Sequence, residues 1–362
     1  MTKEEWLEIG FSKNIIDLSE RNSMSFQEVY QMWFCMKMKK IKAQSLDRIE
    51  CAFNRWYVSS DIVSVAVDLI DEKYVYEFLN RIIIDNDVTH KEFTRIYQIV
   101  NNVLIYAFDM GYSLHCVNFE VVKKYIAYDK LSVSVRKDKA VSDDYINVLF
   151  DKVINERIYS EKQCECLLWL LNFYLGLRIG ELSSLRFSDF DLSARLVHVR
   201  KTQVKYHNRD NSGNRTGTMS YDVEDCCKTA ASVRDVPLCD NAVKLYCLIL
   251  QESVNHGYHS DYLAFDGKDV ILTRSMSRCL SRLFQLCELE HCKSHYIRKT
   301  VATQLHNNNV PTRVISDILG HADITTTEKY YIVSTKNYSK YIEYMNNSLY
   351  RCDNAIKKKC LQ

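Results

Sequence analysis

The chain has 362 residues, enough for two domains at about 150 residues each. Apolar residues at 47% and charged residues at 26% exclude a chain dominated by disorder, and only two prolines and nine glycines argue against a many-turned β-sandwich or barrel. Net charge is +2, with 19 basic and 20 acidic side chains in residues 1–141 and 29 and 26 in the remainder, so bulk charge announces no nucleic-acid partner and any such contact must be local.

Residues 1–24 form an extension too short to be a domain of its own. Residues 25–40, 45–58, 71–84, 89–112 and 118–127 are predicted to be five helices with almost no strand, giving an all-α domain over 25–130. Ser25 with Glu28, and Thr89 with Glu92, fit the capping box, in which the first and fourth side chains satisfy each other's free backbone N–H groups. Helical apolar stripes follow: Leu46, Ile49, Phe53 and Trp56, then Phe93, Ile96, Ile99, Val100, Val103 and Leu104. Tyr128–Val141 loses this periodicity, and the linker is placed at 131–141.

The second domain is expected over 142–335. Ser142 caps its first helix, and Ser160 with Gln163 offers a third capping box ahead of a helical run at 160–177. The only strand-like region comes next. Segments 196–199, 218–227 and 233–238 are predicted to form a small three-stranded antiparallel sheet. Asn208, Asn211 and Asn214 fall between the first two, which makes that hairpin longer than a minimal one. Helices resume at 240–254, 273–288, 295–307, 312–319 and 324–331. A last helix at 338–349 belongs to a tail over 336–362. The fold class is therefore mainly α: a helical first domain, then helices with a small antiparallel sheet.

Three segments of the second half stand out. They are Gly176-Leu-Arg178-Ile-Gly-Glu181 running on to Asp191, His295-Tyr-Ile-Arg298 running on to Thr303, and Leu319-Gly-His321 running on to Tyr330. Arginine stays charged and presents a planar fork of donors that fits two phosphate oxygens. Two forks can hold one phosphodiester and stabilise a pentavalent transition state without metal. His295 lies three residues before Arg298 and shares its helix face. A tyrosine beside two arginines and two histidines supplies a nucleophile, proton handlers and charge neutralisation. Singly, each residue has a plain structural explanation, and with 24 tyrosines any one is ordinarily packing. The ordered set carries the reading.

That set resembles the tyrosine recombinase family of the phage-integrase type. GLRIGEL followed by SLRFSDFD is similar to the family's first arginine box, HYIRKTVATQL to its HxxR helix, and LGHADITTTEKY to its LGH-to-tyrosine ending. The likeness covers most of 142–335. Within the first domain, SFQEVYQMWF and AQSLDRIECAFNRW look like the family's helical core-binding domain. The resemblance implies a C-shaped DNA clamp and a catalytic set of Arg178, His295, Arg298, His321 and the nucleophile Tyr330. Tyr331 adjoins Tyr330, so that assignment rests on spacing from His321. Lys228, in a segment like the family's KTKxSxRxVPL hairpin, is the implied general acid, with Lys201 and Lys205 as rivals. Glu181 orients Arg178 and does no chemistry itself.

The resemblance further implies no cofactor and no metal. The partners it implies are double-stranded DNA, a homo-tetramer on two DNA sites held together by the tail, and a directionality factor as an additional protein. The outcome it implies is integration or excision of a mobile element. Local basic groups Lys37, Lys39, Lys40 and Lys42, and Arg274 and Arg278, are candidate DNA-backbone contacts. Two other readings remain at this point: a catalytically inactive DNA-binding regulator, and a zinc module built from Cys287, His291, Cys292 and His295. Fourteen cysteines scattered from Cys35 to Cys360 without a CxxC pair read as reduced, mostly buried thiols. With no apolar run near ~18 residues and a polar, acidic N-terminus unlike a signal peptide, a cytoplasmic protein is expected.

Overall fold

The computed structural model describes residues 24–133, 140–225, 233–308, 310–320 and 338–349. They fall into two compact units. The first comprises the chain up to Arg136 together with Tyr206–Met219, and the second comprises Lys137–Lys205 with the chain from Ser220 onward.

In the first unit the helices are α1 (Phe26–Met38), α2 (Ala43–Trp56), α3 (Glu72–Asp85), α4 (His90–Asp109) and the short α5 (Phe119–Lys124). The capping boxes at Ser25 and Thr89 both form. The apolar stripe of α4 is buried from Phe93 to Leu104 and packs against α1 and α2. Aromatic rings fill the space between helices. Tyr30 stacks on Phe53 and Phe53 on Tyr57, and the buried Tyr57 hydroxyl donates to the Ile96 carbonyl at 2.6 Å. Leu131 joins this core, and the Ser132 N–H donates to the Val88 carbonyl, so the chain stays with the first unit past the end of its helices.

The second unit is built around α7 (Gln163–Leu175), every residue of which is buried. Helices α6 (Asp143–Ile154), α9 (Asp240–Asn255), α10 (Thr273–Leu286) and α11 (Ser294–Asn307) pack on it. Ser142 caps α6 as expected. The box at Ser160 does not form: Ser160 opens a separate 3-10 turn, and the buried Gln163 side chain donates instead to the Val153 carbonyl at 3.0 Å. Burial on all sides leaves Gln163 no reason to reach back along its own helix. Short α8 (Ile179–Ser183), α12 (Thr312–Leu319) and α13 (Tyr338–Ser348) complete the helices of the described residues. Tyr341, Met345 and Leu349 are buried in this unit's core, and α13 packs against α11.

The sheet differs in one membership from the expectation. Strands β1 (Phe190–Asp191), β2 (Leu196–Val199) and β5 (Arg234–Pro237) form the three-stranded antiparallel sheet, with Val197 opposite Val236. Segment 218–227, the second of the three expected strands, instead lies mostly in β4 (Arg215–Asp225), which among the described residues pairs with β3 (Lys201–Arg209) in a separate ribbon. The turn between them explains the pairing. The Asp210 carboxylate accepts the N–H groups of Ser212 and Asn214, and Gly213 takes a φ of 85° that other residues rarely adopt.

The ribbon tip belongs to the first unit and docks there through charge. Arg209 donates to Asp47 at 2.6 Å and to Glu50 at 2.7 Å, and Arg215 also pairs with Glu50. The Arg209 guanidinium lies 5.1 Å from the Phe34 ring centroid. Among the described residues no helix is long and apolar enough to cross a membrane.

Candidate active site

The site is built where α7 ends. Gly176 adopts a left-handed φ of 61°, which stops the helix. A Cβ there would come within 2.6 Å of the Leu319 Cδ2, so the buried Leu319 side chain would have to shift to admit any other residue. Buried Asn172 then fixes the next residue from both sides: its Oδ1 accepts the Leu177 N–H at 2.7 Å and its Nδ2 donates to the Leu177 carbonyl at 3.2 Å. The chain therefore delivers Arg178, as the residue preceding α8, from a fixed point.

Glu181 holds Arg178 in place. Its carboxylate accepts the Arg178 N–H at 2.9 Å and the Arg178 guanidinium at 2.7 Å. Glu181 is buried, whereas the Arg178 side chain is 43% exposed and so can meet a ligand. Burial pushes the Glu181 carboxyl up, but the hydrogen bonds and charges of Arg234 and then Arg178 outweigh it and hold the carboxyl below its ordinary range.

Arg298 comes from α11, where it is almost wholly buried. It donates to the carbonyls of Gly176, at 2.9 Å, and Leu319. Burial first, and the Arg178 charge second, bring it down to about 9, which still leaves it charged at neutral pH. His295 sits exposed in the first turn of the same helix. Arg178 in turn donates to the Gly320 carbonyl at 2.9 Å. The two arginines of the sequence motifs therefore converge on the C-terminal end of α12 and its cap Gly320, the residue before His321 in the sequence.

Lys228, His321, Tyr330 and Tyr331 lie outside the described residues. Of the rival lysines, Lys205 is exposed with its ammonium 5.8 Å from the Tyr221 ring centroid. Lys201 begins β3 immediately before Thr202 and Gln203, which lie so close to Gly180 of α8 that a Cβ there would reach Thr202 at 2.5 Å.

The candidate DNA contacts fall on two faces. In the first unit Lys39, Lys40 and Lys42 are exposed around the α1–α2 turn, and the Lys37 ammonium lies 5.6 Å from the Trp33 ring centroid. Lys37 also lines a cavity of about 270 Å³ with Arg48 and Arg95. Sequence reading missed those two arginines because they sit on different helices, α2 and α4. In the second unit Arg274 and Arg278 are exposed on α10, and Arg282 extends the row at the same four-residue spacing. The opposite face of α10 buries Met276, Cys279, Leu280 and Leu283. That spacing was available in the sequence. Where the zinc reading would need a cluster, Cys287 and Cys292 are buried while His291 and His295 are exposed. Among the described residues no group of three or more His, Cys, Asp or Glu could hold a metal ion.

The Phage integrase family profile matches residues 143–337, more than half of the chain. The chain is 25% identical over 346 residues to the prophage ps2 probable integrase of Lactococcus lactis, covering 91% of this chain and 85% of that protein. It is 22% identical over 324 residues to a XerC-like tyrosine recombinase of Caldanaerobacter subterraneus, covering 84% and 78%. Its fold is similar to that of the Tn1549 transposon integrase in complex with a circular intermediate DNA, with a TM-score of 0.63, 16% identity, and 88% and 98% coverage. A lambda integrase tetramer bound to a Holliday junction gives a TM-score of 0.57 at 15% identity, covering 92% and 88%. The matched region contains Arg178, Glu181, His295 and Arg298. The chain belongs to the phage integrase family and is a tyrosine recombinase.

Proposed function

We propose that this recombinase moves a mobile element into or out of a larger DNA by exchanging strands at specific sites, with Tyr330 as nucleophile. The Tyr330 hydroxyl oxygen attacks the scissile phosphorus, and its proton passes to His295. The bond from phosphorus to the 5′ oxygen breaks, Lys228 protonates that oxygen, and a 3′-phosphotyrosine ester keeps the bond energy for the reverse step. Arg178 and Arg298 neutralise the charge that develops on the phosphate oxygens, and His321 hydrogen-bonds one of them. The reading rests on one observation above all: Arg178, ahead of α8, and Arg298, on α11, meet at the Leu319 and Gly320 carbonyls that close α12, just before His321 in the sequence.

The solved relatives support the remaining parts. Circular intermediate DNA is bound by the Tn1549 integrase, and a Holliday junction by a lambda integrase tetramer. This chain would likewise act as a tetramer on two duplexes, with the contact to a neighbouring subunit made by parts of the tail other than α13, whose Tyr341 and Met345 are buried in its own unit's core. A directionality factor would set whether integration or excision prevails. The basic faces of α10 and of the α1–α2 turn would hold the DNA backbone.

The decisive experiment is trapping on a nicked suicide duplex that carries a site selected from a pool of randomised duplexes. Tyr330→Phe should bind that duplex normally and form no covalent adduct, while Tyr331→Phe keeps the adduct. Peptide mapping should place the phosphate on Tyr330, and an adduct on Tyr331 would move the nucleophile by one residue. Lys228→Ala should slow cleavage roughly 10²–10⁴-fold. A 5′-bridging phosphorothioate should restore the rate, because sulfur leaves without a proton. Absence of rescue would transfer the role to Lys201 or Lys205.

A further inference from the structure

We propose that Arg234, a buried arginine given no part in the chemistry above, is a positioning residue that neutralises Glu181, so that Glu181 can orient Arg178 without cancelling its charge. The inference rests on the recombinase reading of the same site.

Arg234 opens β5 with its side chain only 2% exposed. A buried guanidinium is costly unless its donors are matched, and here the match is close to complete. Two of its nitrogens reach the two oxygens of Glu181 at 2.9 and 3.2 Å, and Nε donates to the Ile318 carbonyl at 2.8 Å. Glu181 therefore lies between two arginines, one buried and one half exposed.

Charge counting shows what this achieves. A carboxylate that fixes Arg178 would by itself leave Arg178 nearly neutral as seen by a phosphate. With Arg234 on the same carboxylate, three guanidiniums face one carboxylate, and two positive charges remain for a phosphorane that carries two negative ones. The second effect is mechanical. The carbonyls of Ile318, Leu319 and Gly320 accept from Arg234, Arg298 and Arg178 respectively. These are the carbonyls a helix end leaves without internal partners, at the negative pole of its dipole. Arg234 thus ties the same helix end to β5 that the reacting arginines tie to α8 and α11.

The test uses the full chain and two nicked duplexes identical except at the scissile position, one a phosphodiester and the other an uncharged methylphosphonate. Arg234→Gln should bind both within about twofold of wild type. Its adduct formation should fall about 10²–10³-fold on the phosphodiester, the usual cost of one missing charge-stabilising group, but less than about 10-fold on the methylphosphonate, which carries one negative charge fewer. Arg234→Lys should stay within about 10-fold of wild type on the phosphodiester. Equal losses on both duplexes in a folded Arg234→Gln would make Arg234 a packing residue and overturn the proposal, as would no loss. If Arg234→Gln does not fold, Arg234→Lys decides: folded with near-normal cleavage supports the proposal, folded but inert overturns it. No adduct from wild type on either duplex would instead refute the recombinase reading.

Discussion

Asn172 shows how much of the site depends on one side chain that never touches it. Its amide donates to the Leu177 carbonyl and accepts the Leu177 N–H, one residue before Arg178. Asn172→Leu would leave a buried N–H and a buried carbonyl unmatched, at a cost of about 1–3 kcal/mol. Its urea midpoint should drop, and its cleavage rate should fall further than DNA affinity does. Gly176→Ala should cost about 2 kcal/mol or more, since it combines a left-handed backbone with a 2.6 Å approach to Leu319. Glu181 gives a pH signature. Because its carboxyl lies below its ordinary value of 4.5 in the folded protein, its stabilising contribution is fully present above that value and is lost as pH falls through the lower one. Wild type should therefore lose stability more steeply than Glu181→Gln between about pH 5 and about pH 3. Equal slopes in acid-dependent urea melts would contradict the ion-pair geometry.

At the scale of elements, α10 makes the plainest prediction. Arg274, Arg278 and Arg282 form one exposed row over a buried apolar face. Replacing each with alanine should weaken binding to all duplexes alike and lower the salt slope by about one per lost phosphate contact. Measured slopes unchanged by the triple substitution would remove this face from the DNA contacts. What the sequence disclosed was what local chemistry decides. The Ser25 and Thr89 boxes and the Phe93–Leu104 stripe form within a few residues of chain, and they appear as expected. The Ser160 box has the same letters, yet tertiary burial of Gln163 redirects its side chain. The ribbon of β3 and β4 was hidden for a related reason. Alternation marks a strand but not its partner, and pairing here was decided by the Asp210–Asn214 turn and by contacts to Asp47 and Glu50, more than 150 residues earlier. Arg178, Arg298 and Glu181 were legible because their motif spacing is local. Arg234 stood in a recognised segment, but its contacts to Glu181 and Ile318 appear only where β5, α8 and α12 meet.

For the whole molecule, the two units share a single chain in an unusual way, since Tyr206–Met219 belongs to the first although the sequence around it belongs to the second. The Arg209 guanidinium is 5% exposed against carboxylates that are 16% and 19% exposed. Arg209→Ala should therefore destabilise the first unit by about 1.5–3 kcal/mol, the worth of hydrogen bonds to charged groups, because Glu50 keeps Arg215 and Asp47 keeps the His207 N–H. Hydrogen exchange should report that loss in α2, and unchanged protection there would place the ribbon tip's contribution near zero.

This arrangement also sets an order of events at the ribosome. Helices α1 to α5 can collapse as soon as they emerge, but Asp47 and Glu50 must wait for Arg209 and Arg215, some 160 residues later. At about 5–20 residues per second, that delay is roughly 10–30 s. During it Asp47 and Glu50 lack the arginines that neutralise them in the folded protein. The unit would acquire its finished electrostatic surface only once much of the catalytic half had been translated.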